Sequence, residues 1–232
     1  MSLSGSIDRR RIWGAAGFAV ALIAIAGLLV LPASEAKRAQ PKCFGKPATI
    51  VGTNGDDFGA NALIGTEEKD VIVAKGGDDE AVGNGGNDLI CMGAGDDGAY
   101  GGAKAAVFTE DGGGDDKING QDGHDNLRGG GGNDVIKLGG STDSGEGNKG
   151  NDKLTGADGD DRMDGNDGTD ELIGGPRDDL MDGGDGDGDV VKGGDDDDSV
   201  AGGAGVKDFC DGGPGNHDSD GGGCESLSNV ED

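Results

Sequence analysis

Aromatic residues make up 3% of this 232-residue chain, with one Trp and one Tyr, and hydrophobic residues of all kinds reach only 32%. Such a chain cannot bury enough apolar surface to offset the backbone entropy lost on folding, least of all with 54 glycines. An ordinary globular core is excluded. Basic residues are scarce too: 19 Lys and Arg stand against 47 Asp and Glu, a formal net charge of −28. Self-repulsion opposes compaction, and attraction to nucleic-acid phosphate is excluded. The chain needs cations. Histidine is limited to His124 and His217, and no H-E-x-x-H, G-x-S-x-G or phosphate-binding loop with its Lys occurs. Threonine is too sparse to supply the outward ranks that ice binding by a flat solenoid face requires. Carboxylate pairs abound, yet no apolar or aromatic set accompanies them to form a sugar pocket. Enzymatic activity is not expected.

What the chain has is a period. Aspartate recurs at Asp70, Asp79, Asp88 and Asp97, then from Asp116 at nine-residue steps to Asp179, with one jump of nineteen between the two series. Two residues after each aspartate stands a second series: Ile72, Ala81, Ile90, Ala99, Ile118, Leu127, Ile136, Gly145, Leu154, Met163, Leu172 and Met181. Glycines precede each aspartate, as in GNGGNDLIC (83–91) and GGGGNDVIK (129–137). The template is G-G-x-G-x-D-x-U-x, with U apolar. Each repeat is one structural unit, and their stack is the fold. A solvated acidic tail would show no such phase.

The array starts at Gly52, with Asp57 in phase, and residues 37–51 read as an N-terminal cap. GGAKAAVFT (101–109) is a decayed unit with Ala106 in place of aspartate and Phe108 at U; LGGSTDSGE (138–146) keeps Asp143 but has Gly145 at U. The stack is expected to run through both, with a missing ligand at one and a thin core at the other. After Asp179 one-residue insertions shift the register to Asp189, Asp198 and Asp208, and residues 212–232 read as a C-terminal cap. Two further motifs dissolve into the repeat. Gly93, Gly95 and Gly98 fit G-x-G-x-x-G without a β-α-β context, and Asp185, Asp187 and Asp189 begin an EF-hand pattern that Val190 breaks.

Residues 1–36 read as a signal peptide: Arg9, Arg10 and Arg11 precede an uncharged apolar run from Gly14 to Leu31, and Ala36 ends a small-residue cleavage site. An uncleaved, outward-facing membrane anchor is the alternative. The mature chain would hold 16 basic and 45 acidic residues, a net charge of −29. Four cysteines in an exported chain point to disulfides. Of three possible pairings, Cys43–Cys91 with Cys210–Cys224 is preferred because it ties each end of the array. Zinc is the rival, but there is no C-x-x-C and both histidines lie far from the cysteines.

The template also states a chemistry. Glycine turns can aim several carbonyl oxygens to one side, the following aspartate adds a carboxylate, and stacking sets one loop's oxygens beside the next. An all-oxygen cage suits a hard cation, Ca²⁺ rather than Mg²⁺. The array resembles the haemolysin-type calcium-binding, or RTX, repeats from Gly52 to Asp211; CFGKPATIVGT and the CDGG…CESL ending look like small secreted actinobacterial members. The resemblance implies an all-β fold, a right-handed parallel β-roll (a β-helix solenoid) with two nonapeptides per coil and multiple Ca²⁺ ions between loops on each edge. It implies as ligands Asp57, Asp70, Asp79, Asp88, Asp97, Asp116, Asp125, Asp134, Asp143, Asp152, Asp161, Asp170, Asp179, Asp189 and Asp198, with Asp208 less secure and a gap at Ala106. The expected function is that of a secreted calcium-binding protein that folds on its ions and serves as an extracellular structural or adhesive module. Its partners are calcium ions and an unidentified cell-surface or matrix component, with no nucleic acid and no membrane after signal cleavage. The alternative is the calcium-dependent scaffold of a secreted enzyme or toxin-like protein, which would want a sizeable non-repeat segment.

Overall fold

The computed structural model of the chain describes residues 40–102, 114–215 and 218–229. The signal-peptide segment, Ala106, Phe108 and His217 lie outside them. Among the described residues the chain winds into a parallel β-solenoid with walls of ten and nine strands and no α-helix. Consecutive strands alternate between walls, so each strand pairs with the one a full coil away: Val135–Gly140 lies between Lys117–Asp122 and Lys153–Asp158. Two nonapeptides therefore make one coil. The x-U-x segments supply the strands because an aliphatic residue flanked by outward-facing neighbours suits a wall with one buried face.

The U residues form the core in two files of different character. The ten-stranded wall contributes Ile72, Ile90, Ile118, Ile136, Leu154, Leu172, Val191 and Cys210, all buried. The nine-stranded wall contributes smaller or more flexible groups, namely Leu63, Ala81, Ala99, Leu127, Gly145, Met163, Met181 and Val200. Outward positions carry cross-strand ion pairs, Arg128 with Glu146 and Lys153 with Glu171. These partly exposed pairs contribute a few tenths of a kcal/mol at most.

Three expectations change. The decayed unit 101–109 lies mostly outside the described residues, and the described walls close across it. Leu89–Ala94 pairs directly with Lys117–Asp122, and Gly98–Tyr100 with the start of Asn126–Gly131, so the register jumps there without giving the unit a strand in either wall. The array also continues past Asp211: Ser219–Gly222 and Ser226–Ser228 add one more strand to each wall.

The core at Gly145 is not thin. Glycine normally leads each unit two residues after U, but Ala74, Met92 and Leu138 stand there instead. All three are buried in the main core, and each is followed, at the next U, by a small residue: Ala81, Ala99 and Gly145. A Cβ on Gly145 would lie 2.8 Å from Leu138 Cδ2 and 3.4 Å from Leu154 Cδ2. Leu138 thus fills the volume that Gly145 leaves, as close packing demands.

The ends are held by Cys43–Cys91 and Cys210–Cys224, the pairing preferred from the sequence. The N-terminal hairpin of Lys42–Cys43 and Lys46–Pro47 does not lie over the open end of the stack. Cys43 and Ala48 pack on Val71 and Leu89, the outward faces of the first long strands, while Ile50–Val51 supplies the end strand. With the bonded cysteines 48 and 14 positions apart in sequence, chain-entropy arguments give on the order of 4 and 3 kcal/mol respectively.

Leu138→Ala should destabilise the folded chain by about 2–4 kcal/mol, the usual cost of a core cavity. Gly145→Ala alone should cost about 1–3 kcal/mol through overpacking. The double variant should be more stable than Leu138→Ala, measured by denaturant unfolding at saturating calcium. No recovery in the double variant would refute the packing pair.

Candidate metal centre

The aspartates of the template separate into two rows, one along each turn edge. The first runs Asp70, Asp88, Asp116, Asp134, Asp152, Asp170, Asp189, Asp208; the second runs Asp57, Asp79, Asp97, Asp125, Asp143, Asp161, Asp179, Asp198. Within a row one interaction repeats: the backbone N–H of each aspartate donates to Oδ1 of the aspartate one coil on. Asp116 N–H to Asp134 Oδ1 is 2.8 Å and Asp134 N–H to Asp152 Oδ1 is 2.7 Å. The step is normally 18 residues, but 28 from Asp88 to Asp116 and from Asp97 to Asp125, so both rows bridge the insertion unbroken. No gap at Ala106 interrupts them. Asp208, the least secure by sequence, is fully buried and accepts from the N–H groups of Gly188 and Asp189.

Oδ1 is therefore spoken for. From Asp79 through Asp208 the other oxygen, Oδ2, is buried in every row aspartate and has no hydrogen-bond partner. Burying a carboxylate oxygen without a partner is costly. Two responses are open: the group keeps its proton, or a cation takes the place of the missing donor. The leading glycines show where such a cation fits. A Cβ at Gly129 would collide with Asp134 Oδ2 and approach the carbonyl oxygen of Gly147, the matching glycine one coil on, at 2.8 Å. Gly147 and Gly165 repeat the relation with Asp152 and Asp170. Only glycine leaves this oxygen-lined cradle open. Among the described residues no three carboxylate, imidazole or thiolate side chains converge on one point. A cation held here must draw much of its shell from main-chain carbonyls, a donor set that suits Ca²⁺. The fit is good, and it is poorest at Asp79, Asp97 and Asp143, where Ala74, Met92 and Leu138 replace the leading glycine. All three lie in the second row.

The two later glycines of the template have another cause. They take φ > 0, as at Gly130 (φ 115°) and Gly132 (φ 121°). Lys75, Ala157 and Arg177 adopt similar angles without being glycine, a local strain that the surrounding ladder over-determines.

Sequence reasoning missed several members of these edges. Asp218 closes the second row: it is buried, and its Oδ1 accepts the Asp198 N–H at 2.8 Å. Its signal was legible in GGPGNHD (212–218), a template unit carrying the same one-residue insertion as the units 183–189 and 202–208. Thr49 opens the first row, its hydroxyl donating to Asp70 Oδ1. Glu225 closes that row, accepting the Asp208 N–H at 2.7 Å. A second, outer ladder uses the residue just before each aspartate and runs the opposite way. Asn133 N–H donates back to Asp115 Oδ1, and Asn151 N–H to Asn133 Oδ1, while the opposite edge uses Asp56, Asp78 and Asp96. The frequent Asp-Asp and Asn-Asp pairs were its sequence signal. His124 belongs to this ladder, exposed, its N–H on Asp96 and its Nδ1 on the Thr142 carbonyl.

Burial, reinforced by neighbouring carboxylates, pushes the row aspartates from Asp79 to Asp198 above the ordinary 3.8. Asp116, Asp125, Asp134, Asp152, Asp170, Asp179 and Asp198 rise to about 7, and Asp88, Asp97, Asp143 and Asp161 to about 6. The N–H bond to Oδ1 opposes the shift but does not cancel it. The cation-free fold therefore binds more protons than the unfolded chain between about pH 4 and 7. Its stability contribution from these groups is full below about pH 4 and lost as pH rises through 6–7.

A family model of RTX calcium-binding nonapeptide repeats, four copies long, matches residues 64–99, 110–136, 138–172, 164–187 and 173–206. No curated protein matches the chain.

Acid and calcium should compete for the same oxygens. Calcium binding should release protons between pH 6 and 7, and apparent affinity should weaken as pH falls from 7 to 5. Titration calorimetry in buffers of different ionisation enthalpy checks this. Proton release that is zero across the range would mean the row carboxylates are not the groups engaged.

Proposed function

The chain belongs to the RTX calcium-binding nonapeptide-repeat family, and from that premise we propose that it is a secreted structural or adhesive module whose solenoid forms when calcium fills its two edges. The β-solenoid of calcium-binding repeats makes it a calcium-binding structural module. Coupling of folding to calcium, export and an adhesive role are the parts proposed. One observation carries the coupling: in two rows of buried aspartates, from Asp79 to Asp208, one oxygen accepts an N–H from the preceding coil and the other has no partner in the protein.

The residues that would hold the ions are the sixteen template aspartates from Asp57 to Asp208, with Asp218 added. Bound calcium supplies positive charge and oxygen coordination at these edges. The chain supplies the rest. Oδ1 fixes the rotamer of each carboxylate by accepting an N–H from the preceding coil. The leading glycine keeps space beside Oδ2, and the two walls hold successive loops in register. Without a counter-charge, ionised carboxylates along each row repel, and the file of U residues is too narrow to outweigh that repulsion and the backbone entropy. Binding free energy then becomes folding free energy, as in other domains with little core of their own.

The N-terminal apolar run and the disulfides support export, because disulfides persist in oxidising compartments. Extracellular modules bind calcium at ~10⁻⁴–10⁻³ M, a range that would leave the chain unfolded in the cytoplasm and folded outside. We assign it no catalysis: the buried carboxylates face the turn edges, where from Asp79 to Asp208 one oxygen serves the ladder and the other is left for a cation.

The purified mature chain should lack β-structure and show an expanded hydrodynamic radius in EGTA, then compact cooperatively as Ca²⁺ is added, followed by circular dichroism and light scattering. The same β-signal and radius in EGTA as in calcium would refute the coupling.

A further inference from the structure

The C-terminal end of the first row is built differently from its interior. Every earlier N–H in that row meets an aspartate 18 residues on, or 19 or 28 where the chain carries insertions. The Asp208 N–H instead meets Glu225 Oε2, only 17 residues on. The chain is one residue short and the side chain one methylene longer. The main chain docks as well, since Glu225 N–H and Ser226 N–H both donate to the Asp208 carbonyl at 3.1 Å. Gly223 takes the place of the matching leading glycine. A Cβ on Gly202 would approach its carbonyl oxygen at 2.8 Å, as Gly129 does with Gly147. Asp208 is fully buried, and its Oδ2 has no partner. The kinds of group found between two interior coils are therefore present here too: a buried carboxylate with a free oxygen, a facing glycine carbonyl, and a second carboxylate, which here is exposed.

What holds Glu225 in place is its neighbour. The segment from Gly221 to Leu227 is mostly exposed and has no aliphatic core residue of its own apart from Cys224. Cys224 is bonded to Cys210, which occupies a U position at the end of the core file. The disulfide thus replaces the missing apolar anchor of the last coil and sets the adjacent carboxylate on the row.

We propose that Glu225, positioned by the Cys210–Cys224 disulfide, completes one further divalent-cation site at the C-terminal end of the first row, between the 202–208 turn and the 223–225 segment, so that this site exists only in the oxidised chain. The proposal rests on the calcium reading above. It makes the last site redox-dependent while the interior sites are not.

The test counts Ca²⁺ bound by the full oxidised mature chain, using equilibrium dialysis with metal analysis. The Glu225→Gln and the paired Cys210→Ser/Cys224→Ser variants should each bind one ion fewer, and combining all three changes should remove no second ion, because both act on one site. The paired Cys43→Ser/Cys91→Ser variant should keep that ion. Circular dichroism at saturating calcium should be unchanged in Glu225→Gln, since the substitution is isosteric and terminal. An undiminished count in Glu225→Gln or in Cys210→Ser/Cys224→Ser would overturn the proposal while leaving the calcium reading intact. A wild-type chain that binds no Ca²⁺ would overturn both.

Discussion

The structure depends on one contact repeated along two edges: a buried aspartate whose Oδ1 receives an N–H from the coil before it. The contact does two jobs. It satisfies a turn N–H that the walls cannot reach, and it holds the carboxylate away from water. The cost is an Oδ2 that no protein group satisfies, repeated at every rung from Asp79 to Asp208. A fold that orphans one such oxygen has a defect. A fold that orphans them in register, with glycine keeping the adjacent space open, has a receptor for cations. Stability and ligand binding are then the same quantity at these edges, because the groups that oppose folding without the ion are those that bind it.

The narrow core follows from that arrangement. With only one or two inward residues per nonapeptide, each position matters more than in a globular core, and volume is balanced locally. The three places where an apolar residue replaces the leading glycine are the three places followed by Ala or Gly at U. The exchange also marks the edge, since Ala74, Met92 and Leu138 stand five residues before Asp79, Asp97 and Asp143, where elsewhere the leading glycine stands. Core filling and cation room compete for the same volume in the second row, whereas the first row keeps its glycines throughout. The two edges of the solenoid are therefore chemically unequal.

Solenoid ends need their own solution, because a terminal coil has a neighbour on one side only. Here the first row ends on residues other than aspartate, Thr49 at its start and Glu225 at its end, while Asp218 closes the second. Each is joined to a disulfide-tied segment or to a final strand, so the covalent staple and the polar cap act on the same coil.

Much of this was legible in the sequence. The nine-residue phase of glycine, aspartate and U dictates a stacked coil with one inward residue per unit, and the even count of cysteines at the two ends dictates their use as staples. Those features are local: they are written within one repeat or in bare composition. What only the tertiary structure decided concerns pairing across a whole coil. GGAKAAVFT resembles a unit closely enough to be counted as a rung, yet a rung there would move every later strand to the opposite wall and set Leu127 and Gly145 on the file of Ile72 and Ile90. Direct pairing of Leu89–Ala94 with Lys117–Asp122 keeps Ile118 and Ile136 on that file, where branched side chains of one shape stack on each other. In the same way Leu138 and Gly145 are complementary only because a turn folds one onto the other. Glu225 joins the row only because a disulfide brings a 17-residue step to the place of an 18-residue one. Periodicity specifies what each unit is; which units meet is set by how the whole stack packs.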